Sequence, residues 1–552
     1  MRTTRLAIFC AAAVVAACGG GGDDDGAGDG APNGDGGPDA SVDAGPTPNP
    51  ICEALGLPTA PFVDAESTTA LRGIAADFSV PTTDGDFSLS ASWTGCDVYL
   101  FIPEDPAQNS GDWGYDFWTV QADMNDLFDM TPKNVHFFFV PTGPDQAAVD
   151  ASLAAVKEVV DHAIPSADAE WWASRVHYVD SPASELASSW VGQILSYPGW
   201  GFGIDRAQRI RYIGSFGDPG RYFSSVGWFG PNISMVANEA VYYNFEAERE
   251  ERLAAEDATV VQLWTQDPLA QGTAPFDVDV TLPDATTMAG FDTLEFDMGM
   301  TCVGAGEYGN CPAWDYDVFL YLCDEDDPTI CDDEVGHWIT SYHREGRWVH
   351  DVSGILPMLA DGGTRRFRLS ISDPWEVTLS LRFSNQGKAA RPVETTPLFA
   401  GQYTFDESYN ANYPPITLPV PADAVKVELA TVLTGHGMSP PANCCEFANT
   451  DHHFIVNGID NVQDFPIVDD QRGCMGRIDE GTVPNQYGTW WYGRAGWCPG
   501  KHVEMVMTDV TDEVNLGEDN TFEYEGFYQG APYTGGTDWR HIHLTSWLVV
   551  SR

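Results

Sequence analysis

The sequence predicts a multi-domain chain in which an N-terminal α/β region precedes two all-β sandwiches. Three observations carry that prediction. The chain has 552 residues, more than one core accommodates, so two to four domains are expected. Between about 51 and 262, apolar strand-like runs alternate with helical spacing, the pattern of an α/β layer. From Phe276 onward the texture changes to short alternating strands separated by turn clusters, with few helical patterns, as in antiparallel sandwiches.

In the first region, Phe78–Gly85 leads into Phe87–Ser90 and then the apolar run Asp97–Ile102. Val135–Val140 is a second strand, and Ala147–Ala163 has helical spacing. Gly203–Arg206 followed by Arg209–Ile213 reads as a hairpin. This order resembles the thioredoxin-like, peroxiredoxin-related fold. That family's chemistry needs a cysteine just after the strand that here ends at Ile102, and Pro103–Trp113 contains none. Cys96 lies before the strand, so an activated thiolate at a helix N-terminus is missing and the region reads as a redox-dead scaffold. The stretch Asn238–Asp257, with Glu246, Glu248, Glu250 and Glu251 beside Arg249 and Arg252, reads as a solvated helix leading into a linker.

In the β-rich part, strands are expected at Phe276–Leu282, Thr293–Met298, Asp317–Leu322, Arg366–Ser372 and Val377–Phe383. A second set is expected at Val425–Leu433, His453–Val456, Val503–Val510, Phe522–Phe527 and Leu544–Val550. The polar segment Ser384–Thr396, with Pro392, is the expected junction, which gives β domains at 263–390 and 391–552 after an α/β domain at 51–262.

The N-terminus reads as an export address. Residues 1–18 place two arginines before a short apolar run that ends Val15-Ala16-Ala17-Cys18, the pattern of a bacterial lipoprotein signal with Cys18 as the lipidated residue. Residues 19–50 are almost wholly Gly, Asp, Ala and Pro and cannot bury apolar surface, so they read as a disordered tether. The expected location is therefore exported: the outer membrane, the cell surface or the periplasm. Lys and Arg total 27 against 82 Asp and Glu, a net charge of −55, which excludes a nucleic-acid partner because a phosphate backbone needs a basic face. Of twelve cysteines, local spacing pairs Cys302 with Cys311, Cys323 with Cys331, and Cys474 with Cys498. Cys52 and Cys96 are positioned to bridge within the first domain, and the adjacent Cys444 and Cys445 stay unassigned. No CxxC pair repeats, so cysteine-bound zinc is disfavoured.

The motifs that point to chemistry are Cys311-Pro312-Ala313-Trp314-Asp315 and Gly493-Arg494-Ala495-Gly496-Trp497-Cys498-Pro499-Gly500. Each sets a charged residue beside a Trp and a Cys. Together they resemble the peptide-N-glycosidase F family over about residues 285–552. Asp315 matches the family's principal catalytic aspartate, Ile339-Thr340-Ser341-Tyr342 is similar to an Ile-Thr-Pro-Tyr segment after the next strand, and Asp373-Pro374-Trp375 to a Glu-x-Trp element. Cys444-Cys445-Glu446-Phe447-Ala448 matches in part, and Arg494–Gly500 is intact. Asp373 stands where the family has glutamate, Ala448 where it has cysteine, and Pro312-Ala313 where it has acidic residues. The resemblance implies two jelly-roll sandwiches side by side, with an N-glycan across their interface and no cofactor or metal. It implies hydrolysis of the amide between asparagine and N-acetylglucosamine in a glycoprotein or glycopeptide.

In that scheme Asp315 activates water, Glu446 holds water and sugar, Asp373 binds the first sugar, and Arg494 stabilises charge at the amide oxygen. Trp314, Trp375 and Trp497 stack on sugar faces. No Gly-x-Ser-x-Gly elbow supports a nucleophile–base triad. Two other readings remain open. The Asp373 and Pro312 departures suit a non-catalytic glycan-binding lipoprotein. His436, His452, His453, His541 and His543 suit copper ligation in a monooxygenase-like protein.

Overall fold

The computed structural model describes residues 49–104, 117–196, 201–216, 232–269, 275–304, 306–307 and 310–552. The expected signal, Cys18 and nearly all of the tether lie outside the described residues. Among those described, no helix is long and apolar enough to cross a membrane.

After a short helix, Pro50–Leu55, the N-terminal region forms a hairpin, β1 (Ser79–Thr82) and β2 (Gly85–Ser88). A mixed five-stranded sheet follows: β3 (Val98–Pro103), β4 (Val135–Val140), β5 (Val176–Tyr178), β6 (Phe202–Ile204) and β7 (Ile210–Tyr212), in the order β5-β4-β3-β6-β7. β3, β4 and β5 are parallel, and β6 and β7 return antiparallel. The continuous apolar runs of β3 and β4 arise because both faces are covered. One face meets the helices Gln121–Met130 and Gln146–Ala163 through Leu100, Phe137, Leu127 and Val156. The other face, with Phe101 and Phe138, meets Phe78, Phe87 and Trp190. A disulfide joins Cys52 to Cys96.

The helix Ala237–Ala255 corrects the sequence expectation of a solvated linker helix. Glu239 and Glu246 are buried, the former on Arg344 at 2.9 Å and the latter on Arg211 at 2.6 Å. Arg344 also reaches Glu307 at 3.0 Å, and Asn485 donates to Glu239. The helix thus carries a charged network into the seam with the β regions, where its acidic residues are matched by arginines distant in sequence.

The next β strands are β8 (Ala258–Leu269), β9 (Phe276–Leu282), β10 (Thr293–Cys302), β11 (Asp317–Leu322), β12 (Asp333–Ile339), β13 (Gly346–Asp351), β14 (Gly363–Ser370) and β15 (Trp375–Ser384). The last set is β16 (Pro392–Thr404), β17 (Ile416–Pro419), β18 (Lys426–Ser439), β19 (Cys444–Cys445), β20 (Asp451–Val456), β21 (Ile459–Gln463), β22 (Lys501–His502), β23 (Val506–Asp509), β24 (Asp519–Phe527) and β25 (Arg540–Ser551). They form four antiparallel sheets: β13-β10-β15-β8, β22-β12-β11-β14-β9, β16-β25-β18-β19 with β23 on β18, and β17-β24-β20-β21. The chain is multi-domain and mostly β. The expected junction is shorter than Ser384–Thr396: β15 ends at Ser384 and Pro392 opens β16, a position where its missing N–H costs no ladder bond.

β22 ties the second β region to the first by backbone pairing. It follows the Arg494–Gly500 segment directly and pairs with β12 of the first region, Ile339 opposite Lys501 and Trp338 opposite His502. That register sets the Arg494 segment beside the residues that follow β12, and these in turn hold the Asp315 loop.

Candidate active site

Asp315 lies in the short connection between the Cys302–Cys311 disulfide and β11. The buried Thr340, just past β12, clamps this connection: its hydroxyl donates to the Trp314 carbonyl at 2.6 Å and accepts from the Tyr316 amide at 2.8 Å. The Thr340 amide also donates to the Tyr316 carbonyl at 3.0 Å. Asp315 is therefore gripped on both sides by one threonine. Tyr342, two residues further, sits with its hydroxyl against the Asp315 carboxylate and its amide on Gln486 at 2.8 Å.

Glu446 arrives from the second β region. Its amide donates to the Gly437 carbonyl at 2.9 Å and its carbonyl accepts from Ala495 at 2.9 Å. Gly496 has φ +81°, and a Cβ there would strike the Leu433 carbonyl oxygen; only glycine lets the loop lie against β18. Here Arg494 enters the core. Its Nε donates to Glu446 Oε1 at 2.9 Å, and Nη2 stands 3.6 Å from Asp315 Oδ2. Its remaining donors meet the Thr489 and Tyr492 carbonyls, the Thr489 hydroxyl and, at 3.5 Å, the Tyr342 hydroxyl. The guanidinium lies over Trp497 and Phe447, at 4.9 and 5.2 Å from their ring centroids.

The electrostatics follow from this enclosure. Burial pushes the Asp315 carboxyl above the ordinary aspartate value against the opposing pull of Arg494 and the Tyr342 hydroxyl. Burial likewise raises Glu446 against Arg494, and the Asp315 charge adds to the rise. One cation is shared by two carboxylates, so neither is fully compensated. Their side chains keep 15% and 17% of their surface, which leaves both reachable by a small molecule. The geometry suits a carboxylate that gains and loses a proton beside a second, oriented one.

The other expected site residues divide. Trp314 is 55% exposed, and Tyr316 beside it is exposed too, so flat apolar faces flank Asp315. Trp539, with 66% of its surface exposed, lies on the Glu446 side, next to the Arg540 that pairs with Gly437. Nothing local in the sequence distinguishes Tyr316 or Trp539 from the other aromatic residues. Trp375 contradicts its expected role: it opens β15 fully buried in the first β core, where no sugar reaches it. Trp497 is also buried, donating to the Gly435 carbonyl at 2.9 Å and stacking on His436, so it packs beneath Arg494. Arg494 itself is wholly buried with its donors engaged, which corrects the expectation that it faces the amide oxygen; it positions the two carboxylates. Asp373 is half-buried in the β14–β15 loop, raised by burial, and makes no ion pair with Arg494. Its loop is level with the Asp315 connection, because Trp375 pairs with Cys302.

Disulfides join Cys302 to Cys311, Cys323 to Cys331, Cys474 to Cys498, and the adjacent Cys444 to Cys445. The histidines expected for copper do not meet as one set: His436, His541 and His543 gather around Asp317, and His452 and His453 lie apart. His452 is buried between Thr450 and Tyr524, and His453 pairs with Asp460 at 2.8 Å. His436 and His541 stack on each other, whereas His543 points to Glu334 at 2.6 Å.

Fold and site thus define a protein of two joined β regions with an acidic pair held on one arginine at their junction. Residues 404–549 match the family model described as Peptide-N-glycosidase F, C terminal. Among solved structures, the chain is similar to recombinant peptide:N-glycanase F at 17% identity, TM-score 0.43, covering 53% of this chain and 96% of that one. It is similar to PNGase F, a glycosylasparaginase from Flavobacterium meningosepticum, at 17% identity, TM-score 0.42 and the same coverage of 53% and 96%. PNGF-II follows at 12% identity and TM-score 0.41, covering 55% of this chain and 67% of that one. No curated protein sequence matches the chain.

Proposed function

We propose that this chain is a peptide-N-glycosidase-type amidase that hydrolyses the bond between an asparagine side chain and N-acetylglucosamine. The observation that carries the reading is the meeting of Asp315 and Glu446, from the two β regions, on the buried Arg494. Asp315 takes a proton from water as its oxygen bonds to the amide carbon. The C–N bond then breaks as the proton passes to the leaving nitrogen, giving aspartate and a glycosylamine. Glu446 orients water and the first sugar. Trp314, Tyr316 and Trp539 offer exposed rings for sugar faces, and Tyr342 and Arg494 position the carboxylates. The match of residues 404–549 to the glycosidase family's C-terminal domain supports the substrate class.

On this reading the two β regions are jelly-roll sandwiches, 263–390 and 391–552, and 51–262 is a thioredoxin-like scaffold whose Cys96 is tied to Cys52. An export signal with a lipid on Cys18 would hold the enzyme at a membrane. The test is an N-glycopeptide incubated with wild type, Asp315→Asn and Glu446→Gln, with products weighed by mass spectrometry. The amidase reading expects release by wild type alone and glycan binding by all three. Binding without release by wild type would make the protein a lectin.

A further inference from the structure

We infer that Glu334, His337 and His543 form a site for one divalent transition-metal ion, zinc foremost, that ties β12 of the first β region to β25 of the second. Their ligand atoms all lie within 4.8 Å of one another, and all three residues are buried. The arrangement has a specific structural cause. Residues three apart on a regular strand point to opposite faces. Here the β11–β12 register shifts: Leu320 faces Gly336 and Tyr321 faces Glu334, so Val335 is an extra residue. The bulge turns Glu334 to the same side as His337.

Two atoms in the cluster have no hydrogen-bond partner although they are buried: His337 Nδ1 and Glu334 Oε1, facing each other at 3.9 Å. A buried polar atom without a partner is costly, and a pair of them aimed at one point marks a place for a ligand. The far nitrogen of His337 supports the same conclusion. Nε2 contacts Asp317 Oδ1 at 2.9 Å, so Nε2–H donates to the carboxylate and Nδ1 keeps its lone pair for a metal. A carboxylate behind a ligating imidazole is the usual outer support of such a site. Among the described residues neither Glu334 nor Asp317 forms an ion pair with lysine or arginine, and their charged contacts are histidines alone. Phe319 packs against both rings, at 4.5 Å from His337 and 5.0 Å from His543, and fixes their planes.

The ligand set has two imidazoles and one carboxylate, a donor set suited to zinc with a fourth position left over. Zinc bonds of about 2.0–2.2 Å place tetrahedral ligand atoms about 3.3 Å apart. The separations of 2.6 Å, His543 Nε2 to Glu334 Oε2, and 3.9 Å bracket that value, so small side-chain shifts accommodate the ion. The ion replaces the proton shared between His543 and Glu334, which leaves to solvent.

The site is distinct from the Asp315–Glu446 pair, and its test does not use catalysis. Chelator-stripped protein is titrated with zinc alone by calorimetry, and cobalt is added separately to read its visible absorption. One ion per chain is expected, with nitrogen–oxygen cobalt bands and a higher melting temperature in zinc. Glu334→Gln and His543→Gln should abolish the bands, and Asp317→Asn should weaken binding by about 10–100-fold. Circular dichroism reports whether each variant folds, and wild-type stoichiometry decides the matter if one does not. No zinc uptake by wild type, or uptake untouched in all three variants, would reduce the cluster to a histidine–glutamate pair and overturn the site.

Discussion

Two clusters in this molecule are each built around one buried arginine that contacts two carboxylates, and their glutamates are driven in opposite directions. Arg211 pairs with Asp205 at 2.9 Å and Glu246 at 2.6 Å. Burial works to raise Glu246, yet Arg211, Arg72 and Arg249 together hold it below the ordinary glutamate value. Arg494 faces Asp315 and Glu446, and there burial wins and both carboxyls rise. The difference is the supply of cations. Glu246 draws on three arginines, whereas Asp315 and Glu446 share one and repel each other. The first arrangement holds the fold together; the second leaves two carboxyls raised and short of cations, the kind of perturbation that marks a candidate functional site.

On the amidase reading, removing Asp315, the proposed proton acceptor, should have the largest effect. Asp315→Asn is expected to lower glycan release by about 10²–10⁴-fold, measured as initial rate on a glycopeptide, without loss of glycan affinity. Arg211→Met leaves two buried carboxylates short of their main cation and should cost about 3–5 kcal/mol in denaturant unfolding, with the rate of the folded protein little changed. If Arg211→Met instead abolished turnover in fully folded protein, the division between the two clusters would fail. Thr340→Val removes both hydroxyl contacts to the Asp315 connection. It should cost about 1–3 kcal/mol and slow release, because the carboxylate loses its fixed position.

The pH dependence sharpens the same contrast. A carboxyl whose folded value is raised binds a proton in the native state that the unfolded chain has released. Asp315 and Glu446 therefore subtract stability as pH rises from the ordinary carboxylate range through their folded values. Glu246, held low, does the reverse: its contribution is present above its unfolded value and is lost as pH falls through the folded one. Asp315→Asn should then melt no lower than wild type at neutral pH, while acid should weaken both proteins alike through Glu246. The activity of wild type should rise with pH along an acid limb above the ordinary aspartate value, because Asp315 must be ionised to accept a proton.

Much of this was legible in the sequence where the signal is local. The strands at Phe276–Leu282 and Asp317–Leu322 appear with the bounds their alternation predicts. Asp315, Glu446 and Arg494, drawn from three separate segments that carry the resemblance, come together. The misses are non-local. β12 carries Glu334 and His337 on its inner side, so its polar residues hide a buried strand from a hydrophobicity reading. The helix Ala237–Ala255 reads as solvated because its partners, Arg211 and Arg344, lie elsewhere in the chain. Trp375 resembles a sugar platform by its neighbours, but its place opposite Cys302 in the β10–β15 ladder buries it. Tyr342 ends the Ile339–Tyr342 segment that carries part of the resemblance, yet only the fold sets its hydroxyl against Asp315.

The most direct measurement of the amidase reading is the isotopic fate of the asparagine. An N-glycopeptide treated with the protein in heavy-oxygen water should yield a peptide in which that asparagine has become aspartate carrying one heavy oxygen in its side chain. A peptide that keeps its asparagine, whether with the glycan intact or with N-acetylglucosamine still attached after cleavage between sugars, would contradict it.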